Sequence, residues 1–390
     1  MQRSLMETAD VAVVGAGVVG LSTAYWLAKA GAKVVVLDKG KAAWEASGRA
    51  SGYLSLRGET PIEARVAAEA ERIWNTLDDE LGYVTEWCPN GRLWAAFPYE
   101  WEDMQATYAA FSKTDFPFRL VDGKEARELL PYLSESVVGG IHTTHGGHAN
   151  PQRTAQAFAW AGRDRGVTIL ENSPVLSIMT SGGAISGIKT PSGEISTPRI
   201  VNCAGPQAGL IAEMVGGYVP VAAARLEAMV SAPLPPMFTF AMIGNGVSVR
   251  QTHRGNLHFN GGPHEWIDVD LTSEPEKPTT PILRNAARRV AELLPSAANV
   301  PLLRCWGGVI DLTPDHSIVL DKVDGPEGMF VAVTSGHGFG LSPAIGKAMA
   351  ELTLTGESSI PIKELGLSRF AGLPKDWRKQ YKWDAGNYNT

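Results

Sequence analysis

The residues with the plainest chemical potential stand near the start of the chain. Gly15, Gly17 and Gly20 are spaced G-x-G-x-x-G, and Asp38 follows at about 20 residues' remove. Those residue types at that spacing suit a dinucleotide. Gly15 permits a tight turn, Gly17 lets the backbone approach a pyrophosphate, and Gly20 lets a helix pack closely on a strand. Val18 and Val19 open a helix whose free N–H groups and positive dipole end would face the phosphates. Asp38, followed by Lys39, would accept a hydrogen bond from a ribose hydroxyl.

Such a turn works only if flanking elements hold it. A β-branched run, Val11–Val14, precedes it, and good helix formers follow as far as Lys29. Gly31 stands where a helix C′ residue belongs, and Val34–Leu37 reads as a second buried strand ending on Asp38. The run from Val11 to Ala28 carries no charge and reaches the lower edge of a membrane span. It contains three glycines, continues into a strand, and has no flanking cluster of Lys or Arg. No basic n-region or small-residue cleavage site marks a signal peptide. The expectation is a cytoplasmic protein without a membrane span.

A length of 390 residues exceeds one simple core, so two domains are expected. The net charge of −6 argues against a nucleic-acid surface. Cys88, Cys203 and Cys305 form neither a disulfide framework nor a zinc pattern, which fits a reducing compartment. His142, His145 and His148 lie three apart and invite a metal reading. Intervening glycines and the lack of nearby acids or thiols at ligand spacing argue against it, and no metal is expected.

Further along, residues 39–58 are rich in Gly, Ser and Ala, which suggests backbone packed closely on a ligand. By residue type alone, Arg49 in that stretch either contacts a phosphate or is a solvated charge. Pro61 to Leu81 has the spacing of one amphipathic helix. Short helices are expected over 102–111 and 123–130, with strands near 92–97 and 137–142. Asn150 and Pro151 start another helix, and a meander of short strands follows it to Ile200–Asn202. Residues 219–303 alternate in the manner of an antiparallel sheet, with a helix over 281–294. Gly336, Gly338 and Gly340 form a loop before a helix that Ser342 would cap and Pro343 would open. That helix N-terminus is offered to something electron-rich. Trp87, Trp94 and Trp101 are read as core, with a contact surface as the rival reading, and the tail after Gly372 carries no interpretation.

In this order and spacing, the opening turn, "EASGRASG", "VNCAG", "WGGVIDLTPDHSIVLD" and "SGHGFGLSPAIG" resemble the D-amino-acid oxidase-like superfamily of FAD flavoenzymes. The resemblance is to the branch with glycine oxidase and sarcosine oxidase. It extends to the β subunit of heterotetrameric sarcosine oxidase and related opine and proline dehydrogenase subunits. It implies an α/β fold: a Rossmann-type, glutathione-reductase-like FAD-binding domain interleaved with a mixed-sheet α+β substrate domain. The expected division assigns 1–84, 145–218 and 304–372 to FAD, 85–144 and 219–303 to substrate, and leaves 373–390 as a tail.

The resemblance also implies site residues. Gly15, Gly17, Val18, Val19 and Gly20 would meet the pyrophosphate, and Asp38 and Lys39 the adenosine side. Ser47, Arg49, Ala50, Ser51 and Gly52 would run towards the isoalloxazine, which turns Arg49 into a cofactor contact. Val175 would meet adenine, Ala204 and Gly205 would close over the nucleotide, and Gly308, Gly336, Gly338, Phe339, Gly340 and Leu341 would line the flavin. His337 and His264 are the candidate catalytic histidines. Glycine oxidase-like enzymes hold the substrate carboxylate with an arginine where this chain has Ile310, leaving Arg250, Arg57 or a histidine to take that role. "EASGRAS" lacks a histidine for covalent attachment, so non-covalent FAD is expected, with Cys305 as a minor alternative.

The implied reaction is oxidation of a C–N bond in an amino acid or secondary amine. Hydride passes from Cα to flavin N5, and the imine hydrolyses. The alternative is a flavoprotein subunit of a hetero-oligomeric dehydrogenase that passes electrons to a partner, and a homo-oligomer is equally open. An NAD-dependent dehydrogenase shares the first motif but gives no reason for the "SGHGFGLSP" loop.

Overall fold

The computed structural model describes residues 7–54, 61–112, 117–272, 277–374 and 376–389. In chain order, the elements that shape the site begin with β1 (Val11–Val14), α1 (Val18–Lys29), β2 (Val34–Leu37), α2 (Ala46–Arg49) and α3 (Ala64–Trp74). Next come β3 (Thr168–Leu170), β4 (Ile200–Asn202), β5 (Ala222–Pro233) and β6 (Leu302–Leu312). Last are β7 (Val319–Lys322), β8 (Met329–Val333) and α4 (Gly338–Thr355).

One sheet runs in the order β7-β8-β4-β1-β2-β3. All its neighbours pair in parallel except β7 with β8. Every residue of β1 and β2 is buried, as expected of parallel strands covered on both faces. Each buried valine there contributes roughly 1.5–3 kcal/mol over an exposed one. Helix α1 packs against α4 and against the helix Pro151–Asp164. A Cβ on Gly346 of α4 would fall 2.1 Å from Ser22 Oγ of α1, so the two helices approach at backbone distance. A four-stranded sheet joins Glu7–Thr8 to the meander of residues 177–196.

The second large sheet has ten strands. Its centre is β5, which pairs antiparallel along one edge with β6 and along the other with Asn256–Gly261 and His264–Ile267. The boundary expected at 303/304 therefore cuts through β6, which stays hydrogen-bonded to β5 as far as Leu312. The tail also has a place. Tyr388–Asn389 adds an edge strand beside His264–Ile267, and Trp383 stacks on Trp266 at 4.2 Å and 14°.

Two expected elements differ. The helix read over Pro61–Leu81 breaks into a 3₁₀ turn, α3 and a short helix Leu77–Leu81, because the chain turns at Asn75–Thr76. Helix α4 begins at Gly338, so Ser342 and Pro343 lie inside it rather than at its cap. Pro343 has no N–H for the Phe339 carbonyl, and Ser342 Oγ donates to that oxygen instead at 2.8 Å. Trp94 and Trp101 pack with Met104 and Ile141, and Trp87 packs on Trp74 at 5.4 Å, so the three tryptophans are not an exposed surface. No described helix is long and apolar enough to cross a membrane.

Candidate active site

A cleft lies between the parallel sheet and the inner face of the ten-stranded sheet. Its walls include Gly15, Gly17, Val18, Val19, Asp38, Lys39, Ser47, Val175, Ala204 and Gly205. Arg49 and Ala50 also line it, with Arg49 against Gly308, as do Ile310, Gly336, Gly338 and Phe339. The three glycines of the opening turn do different work. A Cβ on Gly15, whose φ is +104°, would lie 2.3 Å from Cys203 O, and one on Gly20 would lie 1.9 Å from Gly15 O. Protein packing forbids both. A Cβ on Gly17 meets only Ser47 Oγ, at 3.1 Å, and otherwise points into open space. Gly17 is thus the one of the three that leaves room for a ligand, as the pyrophosphate role requires.

The polar groups around this turn are already ordered. Ser47 Oγ accepts the Val18 N–H at 2.9 Å and so caps α1 from α2. Asp38 accepts the Ala16 N–H at 2.7 Å and the Gly40 N–H at 2.8 Å. Burial raises its carboxyl above the ordinary range, against the pull of those two bonds. Lys39 pairs with Glu45 at 3.8 Å. Arg49 donates to Gly307 O at 2.6 Å and to Trp44 O at 2.9 Å, which pins α2 against β6. Cys203 lines the cleft as a thiol, because burial pushes it up to about 12.

Five residues expected to touch the cofactor have partners within the protein. Gly20, Ser51, Gly52, Gly340 and Leu341 do not line the cleft. Gly20 serves helix packing, and Leu341 is wholly buried core. The Ser51 carbonyl accepts from Arg250 Nε, a Cβ on Gly52 would strike Ala149 O at 2.1 Å, and Gly340 O accepts from Trp74 Nε1 at 2.7 Å. Conversely, the cleft includes Ser173, Pro174, Gln207, Leu226, Ala228, Asn260, Asp311 and Thr334, which the sequence reading did not select. Strand alternation could have found some of them: Leu226 and Ala228 lie two apart on β5, and Leu226 lies opposite Gly308.

The substrate-side expectations need correction. Arg250 is buried behind the wall, bonded to Ser51 O and 3.3 Å from His258 Nδ1, and does not line the cleft. Burial lowers its guanidinium to about 10. Arg57 lies outside the described residues. His264 also stands off the cleft wall, next to the tail strand, and burial followed by His316 lowers it to about 4. The His337 ring turns away from the cleft, with Nε2 3.0 Å from Glu63 Oε1 and Nδ1 2.9 Å from Ser335 O. Neither histidine is among the residues that line the cleft. Cys305 alternates to the opposite face of β6 from Gly308 and Ile310. His145 bonds Glu71 and His148 bonds Thr239 O, so the spaced histidines face different partners. Among the described residues no group of His, Cys, Asp or Glu forms a metal site.

The helix-terminal end of the cleft is also braced. Asp311, buried, accepts the Ser335 N–H at 3.1 Å and the Thr334 hydroxyl at 3.1 Å. This leaves the first turn of α4 presented to the cleft through Gly336, Gly338 and Phe339. The positive end of a helix stabilises negative charge placed there.

The family model for FAD dependent oxidoreductases matches residues 10–352. The chain is 30% identical over 372 residues to sarcosine oxidase subunit beta of Rhodobacter capsulatus, covering 93% of this chain and 88% of that protein. It is 25% identical over 363 residues to glycine oxidase of Bacillus licheniformis, covering 88% and 93%. The solved structure of L-proline dehydrogenase from P. horikoshii superposes with a TM-score of 0.84 at 24% identity, covering 97% of this chain and 99% of that one. The turn that reserves space at Gly17, the two-sheet cleft and the breadth of the family match converge: the chain belongs to the FAD-dependent oxidoreductase family and is an FAD-dependent enzyme.

Proposed function

We propose that the enzyme oxidises the C–N bond of an amino acid or secondary amine. One observation carries this reading: a single cleft connects the dinucleotide turn at Gly15–Val19 to the inner face of the ten-stranded sheet. On this reading Gly17, Val18, Ser47 and Arg49 hold the pyrophosphate, Asp38 and Val175 the adenosine, and Gly336, Gly338 and Phe339 the pyrimidine edge of the ring. The nucleotide sheet holds the cofactor and the ten-stranded sheet receives the substrate. When bound, FAD supplies the hydride acceptor.

The chain's own residues then have definable tasks. Leu226, Ala228 and Ile310 form an apolar wall that orients the substrate and excludes water, with Asn260 as a hydrogen-bonding group on it. Ile310 offers no charge to a carboxylate, and Arg250 acts from behind the wall through its field rather than by contact. The α4 N-terminus stabilises charge that develops at the pyrimidine edge. The relatives' names, sarcosine oxidase subunit beta and glycine oxidase, support an amine substrate.

A second reading, that the chain works as one subunit of a larger oxidoreductase, is favoured by the open end of β6. Leu302 and Leu303 are exposed there, at 48% and 63%, and the relatives include a protein named as a subunit. The test of the first reading is anaerobic bleaching of the bound flavin against N-methyl amino acids, D-amino acids, proline analogues and opines. Bleaching by at least one of these is expected, and colour should return when air is admitted if oxygen is the acceptor. A colourless protein that takes up no FAD, or a flavin untouched by the whole panel, would refute it.

A further inference from the structure

The loop that presents Gly336 and Gly338 to the cleft is held from behind by a pair of side chains far apart in sequence. Glu63 is completely buried and His337 is 10% exposed at its side chain. His337 Nδ1 lies 2.9 Å from the Ser335 carbonyl oxygen. A carbonyl has only lone pairs to offer, so Nδ1 carries a hydrogen and donates it. The other ring nitrogen, Nε2, lies 3.0 Å from Glu63 Oε1. Two bare lone pairs at that distance would repel, so one proton occupies this contact.

Its position follows from the surroundings. Glu63 Oε1 also accepts the Ile318 N–H at 2.7 Å, a bond that favours the carboxylate. Asp311 holds the same loop by accepting the Thr334 and Ser335 N–H groups, bonds that favour its carboxylate against the burial that raises it. On the far side, Arg369 is paired with Asp315 at 2.7 Å while it donates to Ile318 O. His337 is the N-cap of α4, whose positive end carries about half a charge and opposes a cationic ring. A whole negative charge on Glu63 at 3.0 Å outweighs that half charge.

We propose that Glu63 and His337 form a buried carboxylate–imidazolium pair, and that Glu63 is the positioning residue that keeps a cationic His337 behind the flavin-side loop. Glu63 reaches the loop from the turn before α3, so the positive member of the pair is the one that belongs to the cleft loop. Its bearing on the cofactor rests on the flavin placement above: a cation there lowers the cost of negative charge on the pyrimidine edge. His337 is then no proton carrier for substrate.

The test is ¹⁵N NMR of the histidine-labelled, FAD-loaded protein at pH 8, well above the ordinary histidine value of about 6.5. One histidine should keep both ring nitrogens protonated, and His337→Asn should remove that signal. Glu63→Gln should convert it to a ring with a single protonated nitrogen and weaken sulfite addition to the flavin severalfold, since both charges of the pair vanish together and the cation is the member on the cleft loop. A wild-type His337 with one protonated nitrogen overturns the proposal, and this needs no variant to fold. Sulfite affinity unchanged in Glu63→Gln despite a neutral ring also overturns the electrostatic role. If the chain bound no FAD, the spectrum of the unloaded protein would still decide the pair, separately from the flavin reading.

Discussion

Gly17 and Gly20 lie one helical turn apart, yet replacing each by alanine should produce opposite failures. Gly17 has φ −72° and ψ 174°, a backbone any residue adopts, and its new Cβ would meet only Ser47 Oγ at 3.1 Å. A hydroxyl can give by a few tenths of an ångström. Losing glycine at an N-cap costs about 0.5–1 kcal/mol, and the stiffer unfolded chain returns a similar amount. Stability of the FAD-free Gly17→Ala protein should therefore stay within about 1 kcal/mol of wild type. The methyl group, however, points into the space reserved for the pyrophosphate. A clash of that kind costs about 1–3 kcal/mol, which is roughly a 5- to 150-fold loss of FAD affinity. In Gly20→Ala the Cβ would sit 1.9 Å from Gly15 O, so α1 must move off β1. That variant should lose stability outright, by about 3 kcal/mol or more. Circular dichroism melts of the FAD-free proteins and titration by quenching of flavin fluorescence separate the two effects. A Gly17→Ala protein that melts normally and binds FAD with wild-type affinity would refute the cofactor placement at this turn.

Two further expectations concern stability. Burial lowers His148 to about 4 and His258 to about 3, so both rings are neutral in the fold, whereas the unfolded chain takes up protons below about 6.5. Their contribution is complete above about pH 6.5 and is lost as pH falls towards the folded values, by about 1.4 kcal/mol per unit for each ring. The urea midpoint should fall between pH 6.5 and 4, and His258→Asn should reduce the slope of that dependence; a midpoint independent of pH over this window would contradict it. Trp383→Ala should cost about 2 kcal/mol, since it removes a half-buried ring stacked on Trp266 and edge-on to Trp377 at 5.4 Å. Earlier proteolytic release of the tail in urea would accompany that loss, and an unchanged unfolding curve would show the tail to be an unattached appendage.

What the sequence by itself determined was the nucleotide turn, and the reason is that its parts are local. The strand β1, the glycines, α1 and the strand β2 are consecutive, and each is read from residue spacing without knowledge of anything distant. The same holds for the Asn150 cap, whose side chain accepts the Arg153 N–H. Only tertiary structure decided which residues behind that turn face the cleft. Ser47 caps α1 across 29 residues, Arg49 ties to Gly307 across 258, and Glu63 meets His337 across 274. No periodicity encodes such pairings, because they depend on how separate elements pack. The start of α4 illustrates the limit. Ser342 and Pro343 have the types of a cap and a first turn, but the loop is held by Asp311, Glu63 and Trp74. With the loop held there, the helix begins five residues earlier than the local signal indicates, and Ser342 bonds the carbonyl that Pro343 leaves unmatched. The histidine that local chemistry nominated for catalysis is turned by those same long-range contacts towards a buried carboxylate.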